Sequence, residues 1–316
     1  MQKRILGRTG IEVTELCFGA LPMGPMQKNM PVEECADIVA HALQSGINFV
    51  DTAQGYKTYP PIKMAIDKTG IRPVIASKSN QKTYEGMEQA VEEALTALGL
   101  DYIDIFHLHA AREGENAFEV YEGALKCLVD MKKKGKIKAV GISTHHTVVT
   151  RRAADVDVID VVFPIINMNG RGIMGGTREE MVEAISKVVQ ANKGLYLMKA
   201  LAGGSLIGEY DAAMKYARGI EGYASIALGM VAIPEVDFNI KYFNGELTTA
   251  AIELSHVEKT VKVLSGACKS CGKCIDACPA DAIGFDAANK ASVNSEKCLT
   301  CGYCTPICPE FAIRVI

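Results

Sequence analysis

The 316-residue chain has no tryptophan, and aromatic residues make up only 6% of it. An excess of charge of one sign is also lacking, since 34 basic residues face 37 acidic ones and the net charge is −3. Beyond the short run Lys132–Lys134 there is no basic stretch that nucleic acid could bind. No apolar run approaches the ~18 residues of a membrane helix, and the N-terminus lacks the apolar core of a secretion signal. These absences predict a cytoplasmic protein with neither a membrane span nor a nucleic-acid partner.

Cysteine, by contrast, is abundant and unevenly placed. Eight of the eleven cysteines lie between Cys268 and Cys308. In a reducing compartment such crowding indicates metal ligands rather than disulfides. The other three, Cys17, Cys35 and Cys127, lie in strand-like or helix-like patterns without partner spacing. We expect these three to be small core residues.

Most of the chain alternates between short apolar runs and amphipathic helical patterns. A turn-containing segment, residues 4–16, predicts a hairpin at the start. The strand-like runs that follow are residues 15–21, 48–53, 73–78, 102–109, 138–143, 160–166, 195–201 and 223–229. Eight strand–helix units predict an α/β fold, a (β/α)8 TIM barrel. The alternative is a doubly wound open sheet, but no GxGxxG follows any strand.

Polar side chains end three successive strands of this predicted barrel. Asp51 ends the second strand, Lys78 the third and His109 the fourth, while Tyr56 lies in the loop after Asp51. Consecutive strands are ~4.8 Å apart, so these side chains can converge at the C-terminal end of the barrel. A lysine ammonium would lower the pKa of a neighbouring phenol, and a histidine would orient a carbonyl oxygen. The alternative is a purely structural role, with a buried ion pair of Asp51 and Lys78 and a core histidine. Four complementary groups at one place favour a catalytic cluster.

These residues carry a resemblance to a known family. The runs LGRTGIEVTELCFGA, DTAxxY and IDIFHLH, together with Lys78, resemble the aldo-keto reductases over roughly residues 3–245. The resemblance implies an oxidoreductase acting on a small carbonyl or alcohol substrate, with Tyr56 as general acid/base. Asp51 and Lys78 would tune Tyr56, and His109 would orient the carbonyl. We interpret His107 as a core residue rather than a ligand.

The resemblance also implies positions for nucleotide contacts. The positions that would contact the cofactor are Ser143, Thr144, Met198, Gly229, Glu235 and Asn239. Members of the family that use NADP(H) have an arginine where this chain has Glu235, and a carboxylate would repel the 2′-phosphate. NAD(H) is therefore favoured over NADP(H) if either binds. Met198 replaces the aromatic residue that stacks on nicotinamide, and Phe163 replaces the amide that holds its carboxamide, so the hydride-donor half of the site is remodelled.

Two glycine-rich loops, residues 169–180 and 200–208, follow the sixth and seventh strands. Barrel enzymes often bind phosphates there, so each loop is either a cofactor contact or flexible linkage. Thr177 and Glu180 also form the sequence pattern of a helix capping box.

The pattern changes near residue 247. Apolar residues at helical spacing, closed by Gly266, predict a linker helix over residues 247–265 between a barrel of residues 1–246 and a second domain of residues 266–316. The second domain contains CxxCxxCxxxCP twice, each followed by Ala-Ile. It resembles the bacterial two-cluster ferredoxins, a small α+β fold. A pair of zinc sites is the alternative, but zinc requires neither the third close cysteine nor the trailing Cys-Pro.

The ferredoxin resemblance implies two [4Fe-4S] clusters, each taking three ligands from one repeat and one from the other. The first cysteine set would be Cys268, Cys271, Cys274 and Cys308. The second cysteine set would be Cys298, Cys301, Cys304 and Cys278.

Joining the two domains leaves three functional hypotheses. In the first, the barrel interconverts carbonyls and alcohols while the ferredoxin domain supplies or removes electrons, with a flavin as a candidate intermediary between two-electron and one-electron steps. A separate redox protein would then be a partner. In the second, the chain is an electron carrier whose barrel is mainly scaffold. In the third, it is an NAD(H)-dependent reductase with structural clusters.

Overall fold

The computed structural model describes residues 1–247, 260–278, 280–298 and 304–315. It begins with the expected hairpin, in which β1 (Lys3–Ile5) pairs antiparallel with β2 (Glu12–Thr14). Gly10 adopts the left-handed conformation in the turn between them, with φ of 71°. A Cβ at this position would meet no other atom, so the conformation alone favours glycine there.

Eight parallel strands then close into a barrel in the order β10-β3-β4-β5-β6-β7-β8-β9. The strands are β3 (Leu16–Gly19), β4 (Phe49–Asp51), β5 (Val74–Ser79), β6 (Ile103–Ala110), β7 (Ile137–Thr144), β8 (Val161–Pro164), β9 (Gly194–Met198) and β10 (Ser225–Gly229). Pairing of β10 with β3, Ile226 opposite Leu16, completes the closure. Each of the eight predicted strand regions overlaps one of these strands to within a residue or so, and the TIM-barrel prediction is confirmed.

Helices surround the barrel. Within the described part of it they are α1 (Val32–Gln44), α2 (Tyr59–Thr69), α3 (Tyr84–Leu98), α4 (Ala117–Val120), α5 (Glu122–Lys133), α6 (Thr147–Ala153), α7 (Arg178–Gln190), α8 (Tyr210–Arg218) and α9 (Ile233–Phe243). The predicted capping box is present at α7, where the Thr177 hydroxyl accepts from the Glu180 amide and the Glu180 carboxylate accepts from the Thr177 amide. The first four amides of a helix lack partners within it, and such a box satisfies two of them.

The core lies inside the barrel and between the barrel and its helices. Strands such as β8 are buried along their whole length, as expected for parallel strands covered on both faces. Cys17, Cys35 and Cys127 are buried and form no disulfide. They are therefore the small core residues that the pattern predicted. None of the described helices is long and apolar enough to cross a membrane.

The described part of the C-terminal domain contains two small sheets and two short α-helices. In one sheet β11 (Val261–Val263) pairs with β14 (Ile313–Val315), and in the other β12 (Ile283–Phe285) pairs with β13 (Ala291–Val293). The helices are α10 (Lys273–Asp276) and α11 (Cys304–Ile307).

The prediction of a linker helix over residues 247–265 is wrong at its C-terminal end. Residues 261–263 form β11, which pairs with the last strand of the chain, so they belong to the small domain. Residues 248–259 of the predicted helix lie outside the described residues. Helical spacing in the sequence did not reveal that β14, more than 50 residues later, would extend this segment by pairing with it.

The small domain packs against the C-terminal ends of the barrel strands, which we call the barrel mouth. Arg112 pairs with Glu310 across this contact at 2.7 Å, and the Arg171 guanidinium donates to the carbonyl oxygen of Thr305. The loop after β9 lies directly against β14. A Cβ on Gly204 in this loop would be 2.4 Å from the carbonyl oxygen of Val315. Glycine is required there for the two backbones to approach so closely.

Candidate active site

A buried ion pair lies at the centre of the barrel mouth. The Lys78 ammonium donates to an Asp51 carboxylate oxygen at 2.6 Å and to the backbone oxygen of Thr52 at 2.8 Å. The neighbouring strands β4 and β5 bring the pair together, and Lys78 is only 1% exposed. Burial opposes the charge on Lys78, but Asp51 and Tyr56 outweigh it and raise its pKa. The ammonium therefore stays charged at neutral pH.

Tyr56 stands against this ion pair, in the helical turn Gln54–Tyr56 after β4. Its ring centroid is 4.9 Å from the Lys78 ammonium, and the residue is 9% exposed. Burial raises the pKa of Tyr56 above its usual value, and the charge of Lys78 offsets this only in part. The expectation that Lys78 would produce a net lowering of the pKa is therefore wrong, because burial has the larger effect. A phenol in this state is protonated at neutral pH and can act as a proton donor.

His109, near the end of β6, completes a cluster of four that we call the tetrad: Asp51, Tyr56, Lys78 and His109. The His109 and Tyr56 rings meet edge to face, with centroids 5.9 Å apart. Burial, together with the charges of Lys78 and Lys199, lowers the pKa of His109 to about 3. The imidazole is therefore neutral at physiological pH, and a neutral imidazole retains one N–H to donate to a carbonyl oxygen.

Two residues behind the tetrad extend its hydrogen bonds into the barrel. The Tyr196 hydroxyl donates to the second Asp51 oxygen at 2.9 Å and lies 2.7 Å from His107 Nε2. Since the single hydroxyl proton goes to Asp51, His107 must donate from Nε2. His107 is fully buried, as the interpretation of a core residue required. Gly141 on β7 leaves room for its ring, because a Cβ there would lie 2.1 Å from Nδ1.

Sequence reasoning missed Tyr196. Its position two residues before Met198 on a strand with alternating faces places both side chains on one face, which is the signal that could have found it. Its ring stacks on Phe163 with centroids 3.8 Å apart and an angle of 11° between the ring planes. This stack occupies the side of the site at which the resemblance expected a side-chain amide.

A cavity of about 1040 Å³ opens between the tetrad and the small domain. It is about as large as the larger small-molecule sites in proteins. The full tetrad lines it, and so do four of the six residues expected to contact a nucleotide, namely Ser143, Met198, Gly229 and Glu235. A nucleotide contact for these four stays a prediction.

The other two expected contacts are used within the protein. The Thr144 hydroxyl accepts from the amide of His146 at 3.0 Å. The side-chain amide of Asn239 donates to the backbone oxygen of Glu235 at 2.6 Å and accepts from the Tyr210 hydroxyl at 2.5 Å. Neither residue lines the cavity. Their geometry therefore offers no support for a nucleotide contact.

The small domain contributes its own side chains to the cavity wall. Phe311 and Arg314, on the turn before β14 and on β14 itself, are 5% and 6% exposed and line the cavity. A Cβ on Gly172 or on Gly203 would lie 3.0 Å or 3.1 Å from the Phe311 ring. Glycines of both glycine-rich loops thus make room for Phe311, a packing role that the sequence did not indicate.

Electrostatic effects link cysteines within each of the two expected sets, while no three of them in the described residues are arranged as a metal site. Cys268, Cys271 and Cys308 are close enough to Cys274 for their charges to raise its pKa further, after burial. Cys298 and Cys278 do the same for Cys304 after burial, which raises its pKa to about 11. Cys301 lies outside the described residues. That three thiols of one repeat share a cluster with one thiol of the other, as in a two-cluster ferredoxin, stays a prediction.

Backbone amides point at several of these sulfurs. Cys268 Sγ accepts from the amides of Ser270 and Ala291, both at 3.4 Å. Cys278 Sγ and Cys308 Sγ each accept from the amide four residues later at 3.2 Å. Amides stabilise thiolate charge, and hydrogen bonds to sulfur are among the features that set the potential of iron–sulfur clusters. The donors present therefore fit two [4Fe-4S] clusters.

Comparison with known proteins agrees with both halves of this description. Residues 15–259 match the model of the aldo/keto reductase family, and residues 260–309 match that of a 4Fe-4S dicluster domain. The second match begins next to β11, in agreement with the assignment of that strand to the small domain.

Curated relatives match over part of their length. L-galactose dehydrogenase of Arabidopsis thaliana is 28% identical over 155 residues, covering 45% of this chain and 48% of the relative. Methylglyoxal reductase of Escherichia coli is 24% identical over 180 residues, covering 54% of this chain and 64% of the relative. The matches thus span about half to two thirds of these relatives.

Solved structures share the barrel. An aldo-keto reductase from Bacillus halodurans in its holo form has a TM-score of 0.65 at 20% identity, covering 79% of this chain and 93% of that one. Its apo form gives a TM-score of 0.62. At this identity the similarity concerns the fold alone. The family model matches most of the length of this chain. The chain therefore belongs to the aldo/keto reductase family, with a 4Fe-4S dicluster domain joined to the C-terminal side of its barrel.

Proposed function

We propose that the protein interconverts a small carbonyl compound and its alcohol in the cavity, with electrons supplied or removed through the small domain. The observation that carries this proposal is the burial of Tyr56 against the Lys78–Asp51 pair on the wall of that cavity. An electron carrier with a barrel that is only scaffold would have no use for a charged lysine and a protonated phenol at this place.

The residues divide the work as follows. Tyr56 donates a proton to the carbonyl oxygen in reduction and accepts it in the reverse direction. Lys78, held charged by Asp51, stabilises the phenolate that donation leaves behind. His109, neutral and beside Tyr56, donates a hydrogen bond that orients the carbonyl oxygen.

Tyr196 and His107 position the Asp51 carboxylate from behind. Tyr196 donates to the carboxylate oxygen that is not bonded to Lys78, so both oxygens are held. This arrangement limits rotation of Asp51 and keeps Lys78 directed at Tyr56.

The first cysteine set is the one beside the cavity. Ala267 and Pro309, which are neighbours of Cys268 and Cys308, line the cavity, whereas the described neighbours of Cys278, Cys298 and Cys304 do not. When bound, the clusters would supply or accept electrons one at a time, and carbonyl reduction takes up two electrons and two protons. We infer that the first set is the inner electron site, with a separate redox protein as its source.

A nucleotide remains part of the proposal in a limited form. Glu235 lies on the cavity wall, and its carboxylate accepts from the amide of Val231 at 2.8 Å. A carboxylate there disfavours a 2′-phosphate, so NAD(H) is preferred over NADP(H). A flavin is the other candidate intermediary, since it can exchange one electron or two.

The Tyr56→Phe variant tests the proposal. Removal of the proton donor should lower turnover of small carbonyls such as methylglyoxal by roughly a hundredfold or more, with cluster spectra unchanged. Tyr59→Phe is the matched control, because Tyr59 is also a buried phenol but its hydroxyl bonds to Ser77 at 2.7 Å. Turnover would be measured anaerobically with NADH, NADPH and a reduced ferredoxin or flavodoxin as separate electron donors. Full activity of Tyr56→Phe would contradict the assignment.

A further inference from the structure

Three cations surround one aromatic ring where the two domains meet. The charged groups of Arg314, Lys199 and Arg171 lie 4.1 Å, 5.1 Å and 5.9 Å from the centroid of Phe311. Two of the three, Lys199 and Arg314, line the cavity, one from the barrel and one from the small domain. Cations over an aromatic face are stabilised by it, but the ring does not neutralise their charge.

Lys199 and Arg314 have neutral hydrogen-bond partners. The Lys199 ammonium is 2.9 Å from His145 Nε2, while the Arg314 guanidinium donates to the backbone oxygens of Phe311 and Ile313. In the described parts of the chain neither forms an ion pair with a carboxylate, although Arg112 nearby is paired with Glu310. Positive charge in a partly enclosed site without a negative partner is costly.

The cost is visible in the acid–base properties of the site. Burial, followed by the charges of Arg314, Arg112 and Lys78, lowers the pKa of Lys199 well below its usual value. Burial lowers the pKa of Arg314 to about 10, and the charges of Arg171 and Arg112 add to this effect. The negative charge of Cys308 opposes it. An anion placed between these groups would relieve the repulsion.

The backbone at Lys199 is a second, independent observation. Lys199 has φ of 58°, in the left-handed region that residues other than glycine, asparagine and aspartate rarely adopt. It is the first residue after β9, so this conformation sets the direction in which its side chain leaves the barrel. Strain of this kind is concentrated at functional sites.

The cations also lie within electrostatic reach of the tetrad. The charge of Lys199 contributes to the lowered pKa of His109, and the charge of Arg314 acts on Tyr56. All four side chains line the same cavity, so a group bound between the two cations would share that cavity with a carbonyl held by Tyr56 and His109.

We propose that Lys199 and Arg314 form an anion subsite, and that the substrate is a carbonyl compound bearing a carboxylate or phosphate group a few bonds from its carbonyl carbon. This proposal rests on the proposed function of the same cavity and specifies its substrate class. His145 positions Lys199 through the contact at its Nε2.

Binding without turnover is the primary test. Calorimetry on the cluster-loaded full chain, with no electron donor present, should detect succinate and inorganic phosphate as separate carboxylate and phosphate probes. Lys199→Met should weaken the binding of at least one by roughly tenfold to a hundredfold, and Lys199→Arg should retain it. Lys215→Met is the control, since Lys215 is exposed and pairs with Asp211 at 2.6 Å.

Turnover of matched substrate pairs is the second readout. Succinic semialdehyde would be compared with butanal, and glyceraldehyde 3-phosphate with glyceraldehyde. Lys199→Met should raise KM for the anionic member of the preferred pair by a much larger factor than for the neutral member. The pair that responds tells whether the anionic group is a carboxylate or a phosphate.

Three results would overturn the subsite. The first is that the unaltered protein binds no anion. The second is that Lys199→Met binds the anion as tightly as the unaltered protein. The third is that Lys199→Met shifts the cluster potential but leaves the anion affinity unchanged. Failure of the proposed function looks different: no carbonyl is turned over, yet Lys199-dependent anion binding persists. Turnover of butanal without any anion binding is the reverse result and rejects the subsite alone.

Discussion

The turns that follow the last cysteine of each repeat in the small domain have a similar backbone conformation but different surroundings. Asp281 in the first repeat and Phe311 in the second occupy equivalent positions, with φ of 47° and 52°. In each repeat the next amide donates to the cysteine sulfur at 3.2 Å. Aspartate tolerates the left-handed conformation far better than phenylalanine does.

The difference between the repeats lies in what each one faces. Asp281 and Gly284 are exposed, whereas their counterparts Phe311 and Arg314 are buried against the barrel mouth. The requirements of the sulfur ligand set the backbone of both turns, and contact with the barrel sets the side chains of one. A repeat that departs from its partner in side chains alone therefore marks a docking face.

Ligand substitutions in the two repeats should give the largest effect. Cys308→Ser and Cys278→Ser change equivalent positions, and each should lose about half of the iron, since each cysteine completes one set of four. Only Cys308→Ser removes a ligand of the set beside the cavity. It should therefore abolish carbonyl-dependent reoxidation of the reduced protein, measured by anaerobic absorbance.

Cys278→Ser should retain part of that reoxidation, because the first cysteine set is unaltered in this variant. Equal loss in both variants would show that the two sets are equally coupled to the cavity and would reject the inner and outer assignment.

Truncation of the buried aromatic ring should have the next largest effect. Phe311→Ala removes a ring that packs into the two glycine-rich loops and should cost about 3 kcal/mol of stability. Phe285→Ala is the matched control in the first repeat, because Phe285 is 45% exposed, and it should cost less than about 0.5 kcal/mol. Denaturant unfolding, followed by cluster absorbance, would measure the stability of both variants. Similar unfolding midpoints for the two variants would contradict a role of Phe311 in docking the small domain.

A methyl group in the receiving loop should have the smallest effect. Gly203→Ala places a Cβ 3.1 Å from the Phe311 ring at φ of 69°, so it combines backbone strain with crowding. Gly10→Ala has a similar φ of 71° with no neighbour, so it isolates the strain, which is about 1 kcal/mol.

Thermal unfolding should therefore show a larger loss for Gly203→Ala than for Gly10→Ala. An equal loss would mean that the loop yields to the methyl group and that its contact with Phe311 is not tight.

Much of the architecture was readable from local patterns. Strand regions, the capping box at Thr177 and the 4Fe-4S domain are indicated by residues close together in the chain, and these three predictions are confirmed. Asp51, Lys78 and His109 were also found, because parallel strands must bring their C-terminal ends together in a closed barrel. The segment at 261–263 was assigned to a helix because its strand partner is remote in sequence.

The properties that depend on burial were not predictable in the same way. Periodicity places Tyr56 near Lys78, but the sign of its pKa shift follows from the balance between desolvation and the lysine charge. Tyr196, Lys199 and Phe311 were missed as site residues, since each acquires its role from a partner more than 50 positions away.

By itself the sequence determined the barrel, the grouping of the tetrad and the presence of a 4Fe-4S dicluster domain, because periodicity, strand ends and short spacings are local properties of a chain. The tertiary structure alone decided that neighbours of Cys268 and Cys308 line the cavity, which cations have no carboxylate partner among the described residues, and which protonation state burial favours. Those outcomes depend on the distances and solvent exclusion that arise when the small domain packs on the barrel, and neither is encoded in any single stretch of residues.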